Sequence, residues 1–302
     1  MNTKDTSNKV RHSPTLVAEN VRFAYDKHPV IENLSMTLRP GEITAIIGAN
    51  ASGKSTLLRG LARLLRPSTG AVLIDGCDVA RLPTREVATR IGVLSQLPVA
   101  PGGLSVGELV ARGRYPHQGW FRQWSPEDER GVRDALAATQ MSELADRRVD
   151  ELSGGQRQRA WIAMALAQDT DILLLDEPTT FLDIAHQIEI LDLLVDLNAT
   201  SGRTIAVVLH DLNQACRYAD HLIAMSCGQI AAEGRPAEIL TTALVKKVFN
   251  IECRLIPDPA TGLPLIVPVS SRTPLDKRTT HWCCPAPADR FGKEDQAAAL
   301  RR

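Results

Sequence analysis

Residues Gly48 to Thr56 read "GANASGKST", and the class of fold follows from them. The run before them, "ITAIIG" (Ile43 to Gly48), is continuously apolar and suits a parallel strand buried on both faces. A helical pattern over Ser55 to Leu65 comes after. Strand, glycine-rich loop and helix start, in that order, satisfy G-x-x-x-x-G-K-[ST], the phosphate-cradling P-loop. Its glycines let the backbone curl, so that N–H groups along Gly48, Ala49, Asn50, Ala51, Ser52 and Gly53 turn toward phosphate oxygens. Lys54 adds a full positive charge for the β and γ phosphates. The hydroxyl of Ser55, which Thr56 follows, is placed to ligate Mg²⁺.

Three further apolar runs share the character of "ITAIIG": "IGVLS" ending before Gln96, "DILLLD" ending at Asp176, and "TIAVVL" ending before His210. In open parallel sheets ligands bind at the carboxyl ends of the strands, so these polar endings share one rim with the P-loop. Asp176 and Glu177 are adjacent carboxylates whose side chains diverge. Asp176 suits holding Mg²⁺ through water. Glu177 suits polarising the water that attacks a γ-phosphate. Capping of a helix by the acidic pair is the plainer alternative. Gln96 and His210 would each be unremarkable alone. On a shared rim, a glutamine reaches the metal and the attacking water, and a histidine hydrogen-bonds the γ-phosphate. Tyr25 suits stacking on a base, and packing at a strand end explains it equally well. Asp183 is placed to cap the helix after it.

Before the P-loop, "LVAENVRFAYDKHPVIENLSMTL" alternates apolar and polar residues, which predicts an antiparallel pair of strands. Ile184, Ile188, Leu191 and Val195 recur along one face of a predicted helix over Ile184 to Leu197. Between Gln96 and Asp171 no strand pattern occurs. Helical patterns over Pro126 to Gln140 and Ser153 to Gln168 predict a helical subdomain, about residues 100–170, inserted into the α/β core. The expected layout is a flexible segment 1–14, a single domain 15–271, and a disordered tail 272–302 with little to bury. That tail holds "HWCC" (His281 to Cys284), adjacent cysteines that are commonly incidental rather than metal ligands.

In the 302 residues, 35 Lys and Arg balance 35 Asp and Glu, and a neutral chain argues against nucleic acid as a partner. No apolar run approaches the ~18 residues of a membrane span. "MNTKDTSNKVRHSP" lacks the apolar core of a signal peptide. The six cysteines show no CxxC, and the simplest reading is reduced thiols in a cytoplasmic protein.

"LSGGQRQRA" (Leu152 to Ala160) marks a second helix start suited to an anion. Ser153 and Gln156 fit the S-x-x-Q capping box. That box does not explain Gly154 and Gly155, each of which costs ~1 kcal/mol inside a helix. Bare glycines permit close approach of another surface, and the positive helix end favours a phosphate. Lying in the helical insert, this segment is remote from its own rim. A second copy docked head to tail brings it to the nucleotide.

Taken in order, "GANASGKST", Gln96, "LSGGQ", "ILLLDEPT", "FLD" and His210 resemble the motif series of ATP-binding cassette (ABC) ATPases, over about Leu16 to Val269. The resemblance implies an α/β P-loop NTPase fold with a mostly parallel core sheet, an antiparallel β subdomain and an inserted helical subdomain. It implies ATP and Mg²⁺ as cofactors, with Ser55, Gln96 and Asp176 toward the metal. It also implies a homodimer that sandwiches two ATP molecules, in which Ser153, Gly154, Gly155 and Gln156 complete the P-loop site of the other chain. By the same likeness Tyr25 stacks on adenine, Asp183 links the two sites, and Gln96 couples nucleotide to a membrane partner.

More narrowly, "GRYPHQGWF" (Gly113 to Phe121), "TTFLDIAHQIEILDLL" (Thr179 to Leu194) and "VVLHDLNQACRYADHLI" (Val207 to Ile223) resemble ATPase subunits of bacterial ferric-siderophore importers. Haem and vitamin B12 importers are close relatives of these. The implied partners are two integral-membrane permease subunits and, indirectly, a periplasmic substrate-binding protein. The implied place is the cytoplasmic face of the bacterial inner membrane. Rivals are a soluble ABC ATPase acting on DNA or cluster assembly, and a small-molecule kinase, which has no use for "LSGGQ". One departure is Ala51, where many family members carry glycine; a positive φ there costs ~1–2 kcal/mol. The tail from Arg272 has no family counterpart.

Overall fold

The computed structural model describes residues 14–269, apart from 27, 97, 99, 100 and 120–123. The tail with His281 to Cys284, the segment 1–13, and the Trp120–Phe121 end of "GRYPHQGWF" lie outside the described residues. In chain order the elements that position the site are β1 (Leu16–Tyr25), β2 (His28–Leu38), β3 (Ile43–Gly48) and α1 (Lys54–Leu61). Then come β4 (Thr69–Ile74), β5 (Cys77–Asp78), α2 (Thr84–Arg90), β6 (Ile91–Leu94), α3 (Val106–Ala111), α4 (Pro126–Ala138) and α5 (Gly154–Ala167). The chain continues with β7 (Ile172–Asp176), α6 (Ile184–Ser201), β8 (Thr204–Val208), α7 (Leu212–Tyr218), β9 (His221–Ser226) and β10 (Gln229–Gly234). A closing hairpin is formed by β11 (Cys253–Pro257) and β12 (Pro264–Pro268).

The core sheet has six strands in the order β10-β9-β3-β8-β7-β6, all parallel except the β10 edge. The expected antiparallel subdomain is a separate four-stranded sheet, β2-β1-β4-β5. Successive side chains of a strand point to opposite faces. The continuous apolar runs therefore feed two cores. Ile46, Leu174 and Val208 pack with Leu57, Leu58 and Leu61 of α1 and with Leu16, Phe23 and Ile31 of the antiparallel sheet. Ala45, Ile47, Leu173, Leu175 and Val207 pack on the other face with residues of α3, α4, α5 and α6. Gly60 of α1 is bare because a Cβ there would lie 2.1 Å from Cζ of Phe23. Register brings Ile46, Val208 and Asp176 to one level, so the strands end along a common edge.

Residues between β6 and β7 form the helical insert. α4 begins at a capping box of Ser125 and Asp128, with Pro126 in its first turn. Buried Arg114 donates from Nε to Asp128 Oδ1 (2.9 Å) and from Nη1 to the Ala167 carbonyl (2.9 Å), tying the last turn of α5 to the first of α4. Burial alone would raise the Asp128 carboxyl; hydrogen bonds from Arg114 and Ser125 outweigh it and hold the group below the usual carboxylate range.

Two departures from the sequence reading concern apolar runs. β9, "HLIAMS", is a fifth parallel strand of the core sheet. In α6 the fully buried residues are Ile190, Leu191 and Leu194, whereas Ile184 is 74 % exposed and Ile188 and Val195 are partly open. The periodicity identified the helix. Its buried stripe is turned about the axis from the face the isoleucines mark.

Candidate active site

At the carboxyl edge of the core sheet, Val30, residues 50–56, Gln96, Glu177 and His210 line an open depression of about 580 Å³. The P-loop forms its floor. Gly48 must be bare, because a Cβ would meet the Met225 carbonyl oxygen at 2.4 Å. Gly53 is the N-cap of α1 with φ 101, a left-handed conformation that glycine adopts freely, and no side chain caps the helix start. The amide end of α1 is therefore left to a ligand, and its positive pole favours an anion. Ala51 has φ 61, so this alanine carries the left-handed strain that its place in the loop demands.

Lys54 is buried, with Nζ donating to the carbonyls of Gly48 (2.9 Å) and Ala49 (3.0 Å). Burial lowers its pKa, and the nearby Glu177 and Asp176 carboxylates partly offset that. The Ser55 hydroxyl donates to Asp176 Oδ1 at 2.9 Å. Burial raises the Asp176 carboxyl, the Ser55 hydrogen bond opposes the rise, and neighbouring Glu177 adds to it. A hydroxyl and a carboxylate joined in this way are hard oxygen donors that fit Mg²⁺. Among the described residues no group of three or more His, Cys, Asp and Glu side chains gathers to hold a metal.

Glu177 follows β7 with φ 52, a strained conformation for a side-chain-bearing residue. The turn sends the two carboxylates apart as expected: Asp176 to Ser55, Glu177 to the far side of the rim. There Glu177 Oε2 accepts from Gln96 Nε2 (2.5 Å) and from the Thr180 hydroxyl (3.1 Å), while Oε1 lies 2.6 Å from His210 Nε2. Gln96 and His210 thus converge on the carboxylate. Thr180 was missed by sequence reasoning; the signal was a hydroxyl three positions after Glu177, within reach once the chain turns back. Tyr25 is 40 % exposed and does not line the depression, and its hydroxyl accepts from Arg59 of α1 (3.3 Å).

Ser153 and Gln156 form the full capping box: the Ser153 hydroxyl accepts from the Gln156 amide (3.3 Å), and Gln156 Oε1 accepts from the Ser153 amide (3.2 Å). The paired glycines differ. Gly154 is exposed, and a Cβ there has room. Gly155 is buried, and a Cβ would lie 2.4 Å from Cδ2 of His186 on α6. None of Ser153, Gly154, Gly155 and Gln156 lines the depression over the P-loop. Asp183 caps α6, its Oδ1 accepting from the His186 amide at 2.9 Å.

A family model described as "ABC transporter" matches residues 31–180. The siderophore transport system ATP-binding protein YusV of Bacillus subtilis (strain 168), whose name is qualified as probable, is 57 % identical over 250 residues, 83 % of this chain and 91 % of that protein. Among solved structures, an inward-facing ABC transporter, assigned to the metal-chelate type only provisionally, aligns with a TM-score of 0.74 at 30 % identity, over 85 % of this chain and 98 % of that one. The dimeric structure of a bacterial ABC transporter cassette aligns with a TM-score of 0.65 at 30 % identity, over 73 % of this chain and 98 % of that one.

Proposed function

This chain belongs to the ABC transporter family, and from that premise we propose that it is the ATP-hydrolysing subunit energising a ferric-siderophore importer. It is an ATPase of the type that works as a dimer of cassettes. The observation that carries the site assignment is the convergence of Gln96, Thr180 and His210 on Glu177, beside a P-loop whose helix start no side chain caps.

Tyr25 offers its ring to the adenine. The amides from Gly48 to Thr56 and the Lys54 ammonium take the phosphates. Ser55, Asp176 and Gln96 would hold Mg²⁺, which when bound offsets the charge of the phosphate oxygens. Glu177 accepts a hydrogen bond from the attacking water and draws off its proton as the water moves in line on the γ-phosphorus. Gln96 and His210 orient that carboxylate, and His210 sits on the rim where a γ-phosphate would be sensed.

Ser153 to Gln156 serve a nucleotide held by the partner chain, and Asp183 stands between the two sites. ATP closes the homodimer and pulls on two integral-membrane permease subunits; hydrolysis reopens it. The permeases receive cargo from a periplasmic binding protein, and this chain is peripheral on the cytoplasmic face of the inner membrane. No helix among the described residues is long and apolar enough to cross a membrane. Siderophore cargo is supported by the siderophore-transport assignment of the Bacillus subtilis relative and by the provisional metal-chelate type of the transporter aligned above.

The test is deletion of the gene, followed by growth under iron limitation on a panel of siderophores, haem and vitamin B12. Loss of use of one siderophore class is expected. Unaltered use of every siderophore overturns the cargo assignment, and loss on haem or vitamin B12 alone moves it there. Co-purification with detergent-solubilised permease is the matching biochemical check, whereas strong stimulation of the ATPase by DNA would favour a soluble role.

A further inference from the structure

His186 is the second residue after the start of α6, and nothing in the mechanism above uses it. Its amide donates to Asp183 Oδ1 (2.9 Å), which is the ordinary helix cap. Its ring Nδ1 lies 2.7 Å from the same oxygen, and the cap does not need that contact. The other side of the ring covers Gly155: an added Cβ would come within 2.4 Å of Cδ2, 2.9 Å of Cγ and 3.1 Å of Nε2. One imidazole therefore spans from Asp183 to the first turn of α5. Leu182 reinforces the seam, its Cδ2 lying 3.8 Å from the place a Gly154 Cβ would take. Farther along the same two helices, Arg159 of α5 reaches Glu189 of α6 (2.5 Å) and Gln140 (2.9 Å).

We propose that His186 is a positioning residue that locks Asp183 to the Ser153–Gly155 helix start, so that both segments meet a second copy of this chain as one preset surface. The inference rests on the reading that these segments act on the partner's nucleotide. Preorganisation of this kind lowers the ordering cost of association, so its loss weakens closure of the dimer without touching nucleotide binding by the separate chain. It also assigns a reason for Gly155 that lies within the chain: the position is bare to seat the ring.

The full chain carrying Glu177→Gln is taken with ATP, and the dimer dissociation constant is measured by analytical ultracentrifugation. Binding of a fluorescent ATP analogue is measured separately at chain concentrations too low for dimers. Adding His186→Leu should raise the dimer constant roughly tenfold, the scale of one lost hydrogen bond to a charged group. Nucleotide binding by the separate chain should be unchanged. His186→Asn, whose amide donates from near the place of Nδ1, should restore most of the loss. Equal dimerisation in His186→Leu overturns the proposal, and so does equal weakening by Leu and Asn, which would leave only ring packing. Should a single variant lose stability, the non-additive part of a cycle with Asp183→Ser, which keeps the cap, remains the measure; full additivity overturns the lock. If Glu177→Gln itself stays monomeric with ATP, the partner-site reading has failed and the lock falls with it.

Discussion

The two helix starts of this chain that suit an anion, those of α1 and α5, are finished differently. α1 begins at Gly53, which has no side chain to offer, and the loop before it is strained at Ala51. Its lysine is folded onto two carbonyls in a buried place that lowers its pKa. α5 begins at a completed capping box, with one exposed glycine and one packed under a histidine. The first start is costly at rest and is relieved by a ligand in its own chain. The second is satisfied at rest and presents a settled surface. On the proposed function, a site divided between chains needs both kinds: one half that captures nucleotide, and one that closes on it without collapsing while it waits.

The largest expected effect falls on the α1 side. Glu177→Gln should lower phosphate release by about 10²–10⁴-fold, the usual worth of a general base, while ATP binding persists. Near-parental turnover would remove Glu177 from the role of base. On the α5 side, Ser153→Ala opens the capping box and should cost about 1 kcal/mol. In thermal unfolding that is a fall of roughly 2–4 °C. An unchanged Tm would mean the box contributes nothing at rest, and the contrast between the two starts would lose half its basis.

A subtler effect separates the starts by pH. Burial raises the Asp176 carboxyl in the folded chain. Its stabilising share is thus fully present below the unfolded value, about 3.9, and is lost as pH rises through the raised folded value. Asp176→Asn should therefore raise the Tm of the nucleotide-free chain by an amount that grows from acid toward neutral pH. A difference that is constant with pH would contradict the assigned cause. The smallest effect belongs to Ala51→Gly. It relieves ~1–2 kcal/mol of left-handed strain, but ~0.5–1 kcal/mol of that is returned through the greater freedom of glycine when unfolded. A Tm gain of at most a few degrees is expected, with ATP affinity unchanged.

What the sequence made legible was what chemistry forces into short spans. The P-loop, the carboxylate pair at the end of β7 and the serine–glutamine cap are local, because a phosphate or a helix end dictates their spacing. Gln96 and His210 were legible because each follows an apolar run, and parallel strands deliver such endings to one edge. β9 was harder, because its run opens with the buried polar His221 and so lacks the continuous apolar start of "ITAIIG". The β11–β12 hairpin carries Pro257, Pro264 and Pro268, which weaken any strand signal. The buried side of α6 and the contact of His186 with Gly155 depend on how two helices are set against each other. Period alone says nothing of that. Thr180 needed the positive φ of Glu177, which no local pattern announces.

The central claim is that Ser153 to Gln156 serve the partner's nucleotide and not their own. Ser153→Arg, placed in the Glu177→Gln background, tests it through two readouts on the full chain. One is ATP binding by the separate chain, and the other is dimer formation with ATP in the ultracentrifuge. The expected result is parental ATP affinity in the separate chain together with loss of the dimer. Weakened ATP binding by the separate chain, or a dimer that forms as before, would contradict the divided site.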